Sequence, residues 1–151
     1  HACELLAAGS FRLLEAIYYD DAPSQYQTVA WAQLKQERDK FLTLNVINQI
    51  VGVLTGKIKS INNSTPDREV NKIYFHACRL LDDAERIMKG GHPQVVLSEP
   101  QYLSDIFHGK HSKKDLQSLL EAKMKTVEEL KKTTTIPKKL DRTSLSDWLL
   151  H

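Results

Sequence analysis

Apolar residues recur at helical spacing along most of this chain, and strand-like alternation is absent. The longest such stretch is residues 26–61. Its seam runs Tyr26, Ala30, Leu34, Phe41, Leu44, Ile47, Val51, Leu54, Ile58 and Ile61, advancing by three or four residues at nearly every step. That spacing places one face of a helix against a core. From Phe41 onward Leu42, Val46 and Val53 make the opposite face apolar too. The pattern predicts one continuous central helix over 26–61, enclosed by its neighbours from Phe41 to Leu54.

Three further long helices follow from the same signal. The first covers about 4–19, with Leu6, Phe11, Leu13, Leu14, Ile17 and Tyr18 on one side and Gly9 and Ser10 inside it. The third covers about 66–89: Thr65 is its expected N-cap, Pro66 its first residue, and Gly90-Gly91 its stop. The last covers about 113–132 behind a Ser112 cap, with Leu116, Leu120, Val127 and Leu130 on its buried side. A capping box at Ser98–Gln101 announces a short helix over about 99–107. The fold class is therefore all-α: a bundle of four long helices, one short helix and a C-terminal helical turn. Residues 1–132 form the expected domain. Residues 133–151 are a Pro-containing linker and an apolar turn, Leu145, Trp148 and Leu149, packed on the bundle or on a partner.

Bulk properties narrow the picture. A chain of 151 residues supports a real core without disulfides, and a net charge of +2 makes no general case for a polyanion. Cys3 and Cys78 form no close-spaced pair, as expected of reduced thiols in an intracellular protein, cytoplasmic or nuclear. The longest uncharged run, from Phe41 to Gly56, falls short of the roughly 20 residues of a membrane span. The pattern is already under way at Ala2, as expected of a domain excised from a longer protein.

Chemistry-bearing constellations are few. His108 and His111 make a loose HxxH with no third ligand near in sequence, so neither metal nor cofactor is expected. No phosphate loop, Ser/His/Asp spacing or redox CxxC occurs. Arg86 and His92 stand with five residues between them (RIMKGGH). That stretch alone resembles the Arg-x(4–6)-His signature of HEPN-type helical ribonucleases, and the resemblance implies His92 in acid–base work at a phosphate. Arg86 also has a local role, complementing the negative end of its helix.

The remaining candidates are surfaces. Asn45, Gln49, Gly52 and Gly56 form a stripe on the central helix. Two helix-interior glycines cost about 1 kcal/mol each relative to alanine, so something must offset them: close helix–helix approach, or a groove that admits a partner. Phe75 lies opposite the buried stripe of its helix, near Arg79, and is either covered by the Val95–Leu97 connector or an anchor for a partner. Between Lys110 and Arg142 there are ten basic residues against five acids, an excess of +5, which leaves −3 for the rest. A nucleic-acid reading would use Lys113, Lys114, Lys131, Lys132, Lys138 and Lys139. A strong helical pattern without catalytic chemistry points first to a non-enzymatic interaction or scaffolding domain. Its partner would be a helical or linear peptide of another protein, or a second copy of itself, held in an apolar groove.

Overall fold

The computed structural model describes residues 9–18, 32, 35–94 and 100–140, and every statement below concerns those. They are all-helical. In chain order they form α1 (Phe11–Tyr18), a 3-10 turn (Arg38–Phe41), α2 (Leu44–Lys59), α3 (Asp67–Met88), α4 (Gln101–Phe107) and α5 (Lys113–Thr133). No helix among them is long and apolar enough to cross a membrane.

The hub is α3, not the 26–61 stretch. Ten of its 22 residues are buried, against four of 16 in α2. It packs on α5, α4 and α2. Its start differs from expectation by one residue. Pro66 occupies the N-cap position, and the Thr65 hydroxyl instead accepts from the Asn62 N–H at 3.0 Å, closing the preceding loop. The short helix begins at Gln101 behind Pro100, two residues later than expected, and Ser98 and Glu99 of its expected capping box lie outside the described residues. The start of α5 and the end of α3 follow the sequence signals. Ser112 caps α5 by accepting from the Asp115 N–H at 3.1 Å. After α3 the Gly91 N–H closes the helix end on the Arg86 carbonyl at 2.8 Å.

The continuous helix over 26–61 is not formed. The chain makes a 3-10 turn at Arg38–Phe41, passes through extended Leu42 and Thr43, and restarts as α2 at Leu44. A helix leaves its first N–H groups without partners, and here the C-terminal segment supplies them. The Leu44 and Asn45 N–H groups donate to the carbonyls of Pro137 and Lys138, at 2.9 and 3.1 Å. Phe41, 1% exposed, anchors the break in the core. Residues 134–140 are thus part of the fold. The Thr134 hydroxyl donates to the last carbonyl of α3, Met88 O, at 2.8 Å, and Leu140 is buried. The apolar turn at Leu145, Trp148 and Leu149 lies outside the described residues.

The first helix is also shorter than expected at its described end. Gly9 has φ +92°, so the helix does not run through it, and α1 begins at Phe11. Glycine is required there twice over. A Cβ at Gly9 would lie 3.0 Å from both the Asn45 carbonyl oxygen and Gln49 Cγ. The close backbone approach to the Asn45–Gln49 stripe is made by this glycine.

Candidate interaction surface

The two glycines of the stripe do the opposite of what close packing requires. Among the described residues, a Cβ added at Gly52 or at Gly56 meets nothing within 4 Å, and Val53 between them in sequence is 52% exposed. The Phe41–Leu54 stretch is therefore not enclosed on every side. Its inward face (Val46, Ile47, Ile50, Leu54) is buried, while the Gly52–Gly56 shoulder meets no described residue. Asn45 is half-buried and Gln49 exposed beside it.

Beside this shoulder, on the Gln49, Val53 and Lys57 side of α2, lies an open groove of about 660 Å³ between α1 and α2. Its apolar lining is Phe11, Ile50, Val53 and Leu80. Arg12, Glu15 and Lys57 provide its charged rim. Glu15 is already engaged, 3.6 Å from Arg79, so the rim carries a surplus of positive charge. Burial pushes the Glu15 carboxyl up from its ordinary value, and Arg79 only partly opposes this. Arg79, expected beside Phe75 as a contact for a partner, lies 3.6 Å from Glu15 of α1.

Phe75 is not bare. It is 8% exposed and lies under Phe107 of α4 in an edge-on contact, with ring centroids 5.5 Å apart. The connector expected to cover it falls outside the described residues. The exposed aromatic of this region is Phe107, at 48%. Spacing did not single it out, because it completes the apolar face of a helix only seven residues long.

Polar groups cluster where α1, the 3-10 turn and the end of α3 meet. The Tyr18 hydroxyl bonds Asp39, its ring stacks on His92 with centroids 5.3 Å apart, and the Arg38 guanidinium lies 4.6 Å from the ring centre. Burial, then the bond to Asp39, raises the Tyr18 pKa. Asp83, 1% exposed, accepts from the Gln94 N–H at 3.1 Å and from Arg86, pinning the chain beyond α3. Burial raises its pKa against both of those partners. Arg86 and His92 thus go to different partners, Asp83 and Tyr18.

A second cluster joins α3, α4 and α5. Asp82 accepts from Tyr102 and, at 2.6 Å, from Lys123, whose ammonium also sits 4.6 Å from the Tyr102 ring centre. Beside it the Cys78 thiol is fully buried and pushed up to about 11, chiefly by burial, which leaves it a poor nucleophile. No group of three metal-ligating side chains occurs among the described residues.

The six lysines of the nucleic-acid reading do not make one patch. Lys113 and Lys114 open α5 and Lys131 and Lys132 close it, about 27 Å apart at 1.5 Å per residue. That is several times the screening length of about 8 Å at physiological salt. Lys113 lies 3.8 Å from Asp67 and Lys131 3.0 Å from Glu128, while Lys138 and Lys139 are exposed near the start of α2.

Comparison with protein-family models, with curated proteins and with solved structures finds no match to this chain.

Proposed function

We propose that this domain is a non-enzymatic protein–protein interaction module that receives an amphipathic helix of another protein in the α1–α2 groove. One observation carries the reading: α2 places an exposed Val53 on an open apolar groove with Phe11, Ile50 and Leu80, beside two glycines that no described residue packs against. Helix-interior glycine is unfavourable by about 1 kcal/mol relative to alanine. No described residue packs on Gly52 or Gly56 to offset that cost, whereas a partner seated on Val53 and reaching past the groove's edge would gain close contact there. Helix-in-groove recognition uses apolar anchors spaced three and four apart, which Ile50, Val53, Phe11 and Leu80 suit. The surplus positive rim, Arg12 and Lys57, favours a helix with acidic flanks.

The test is selection of helical peptides from a displayed amphipathic-helix library on the full chain. The expected outcome is an enriched family with acidic flanks whose binding is lost in Val53→Glu, a surface change that leaves the far-ultraviolet CD intact. The reading fails if no helical family is enriched, or if the enriched peptides bind Val53→Glu as well as the parent.

A further inference from the structure

We infer that the chain carries a second binding site, separate from the α1–α2 groove, for a short acidic peptide segment with an aromatic or aliphatic anchor. It lies at the start of α3, where Phe107 faces Pro66, Arg68 and Lys72 around an open cavity of about 440 Å³. Phe107 and Val53 are the two large hydrophobic residues most exposed among those described, and Val53 belongs to the other surface.

The aromatic is held in place rather than loosely displayed. Its ring rests edge-on against Phe75, which is itself in the core. Just beyond α4 the chain reverses at Gly109, with φ +73°, close against α3: a Cβ there would stand 3.1 Å from Asn71 Nδ2. Only glycine suits both the backbone and the approach, so the α4–α5 turn and Phe107 are fixed relative to α3. A preordered aromatic in a concave site is the kind of anchor that interfaces use, because little side-chain freedom remains to be lost on binding.

Charge selects the occupant. Arg68 and Lys72 are four residues apart, hence on one side of α3, and both are exposed and line the cavity. Neither makes an ion pair with a described acid, and Glu69 in the same cavity offsets one of them. Lys110 is held 3.4 Å from Asp105, so the basic residues that count across 66–72 and 107–115 are Arg68, Lys72, Lys113 and Lys114, against Asp67, Glu69 and Asp115, a net +1. The Lys113–Asp67 pair is long at 3.8 Å and its aspartate side chain is 88% exposed, so the lysine remains available. A polyphosphate chain would run into Asp67 and Glu69 at close quarters. Discrete carboxylates can address Arg68 and Lys72 singly while an apolar side chain covers Phe107 and Pro66. The contact is of the anchored linear-peptide type.

The test uses the full chain and a phage-displayed library of random 12-residue peptides, followed by fluorescence anisotropy on the synthesised winner. Enrichment of acidic peptides with one aromatic or branched aliphatic residue is expected. Affinity should fall about tenfold or more both in Phe107→Ala and in Arg68→Glu/Lys72→Glu, and should weaken with added salt. The double charge reversal alters exposed positions only, so it remains informative if Phe107→Ala disturbs Phe75. Unchanged binding of the same peptide in Val53→Glu is expected, which separates this site from the α1–α2 groove. The proposal is overturned if the winners lack acids or if both Phe107 and Arg68/Lys72 variants bind normally. It is also overturned if no peptide is enriched, or if a single-stranded oligonucleotide binds in a Phe107-dependent manner and displaces the peptide.

Discussion

Replacing the α2 glycines with alanine should stabilise the protein. Gly52 and Gly56 both have ordinary helical backbone, since the only positive-φ glycines among the described residues are Gly9, Gly90 and Gly109. A Cβ at either position meets no described atom within 4 Å. The substitution therefore introduces no clash and buries no new surface. What remains is the entropy that glycine loses on folding, about 0.4–1 kcal/mol per site. The two sites are one turn apart without a shared neighbour, so the double variant should gain about 1–2 kcal/mol. For a chain of this length that raises the melting temperature by about 2–4 °C for each kcal/mol. Urea unfolding followed by CD would show a higher midpoint at unchanged slope. Gly9→Ala is the control of opposite sign. Its φ of +92° and the 3.0 Å approach to Asn45 O and Gln49 Cγ should cost about 1–3 kcal/mol. Destabilisation by Gly52→Ala or Gly56→Ala would show that something already lies against this shoulder in the free chain, and the argument for an unfilled face would be wrong.

Other outcomes follow from buried chemistry. Asp83 and Glu15 both have folded-state pKa values raised by burial, so their protonated forms are favoured on folding. Their contribution is fully present below the ordinary carboxylate range and is lost as pH rises through the raised folded values. Relative to an Asp83→Asn/Glu15→Gln variant, the parent should therefore lose stability as pH is raised from about 4 to 7, read by urea midpoints. Asp83→Ala should destabilise at neutral pH by about 1–3 kcal/mol, because the Gln94 N–H loses its acceptor and Arg86 its partner. Cys78, with its thiol pushed up to about 11, should resist a disulfide-exchange reagent at pH 8 in a Cys3→Ser background and react only on unfolding. Rapid labelling of the native protein would contradict that burial.

The helices that local signals punctuate were legible in the sequence. The third and last stood at 66–89 and 113–132 against Asp67–Met88 and Lys113–Thr133 observed, because caps, first-turn acids and glycine stops are local chemistry. The break before α2 was not legible. Phe41 and Leu44 stay in helical phase across it, and the groups that satisfy the new helix start, the Pro137 and Lys138 carbonyls, lie more than 90 residues away. The stripe Asn45–Gly56 was visible, but not its direction. Spacing places small residues on one face without saying whether a neighbour is there, and among the described residues the neighbour is Gly9, against Asn45 and Gln49. Phe75 and Phe107 exchanged roles for a similar reason, since which of two stacked aromatics is outermost depends on where α4 docks.

The most direct test of the groove is a hydrogen-exchange footprint of the full chain with and without a selected amphipathic-helix peptide. Slowed exchange should be concentrated in Phe11–Tyr18 and Leu44–Lys59 and extend to the α3 turn around Leu80, which lines the groove. Residues 107–115 and 131–139 should be unchanged. Protection confined to the ends of α5 and the 131–139 segment, with none on α1 or α2, would contradict the account.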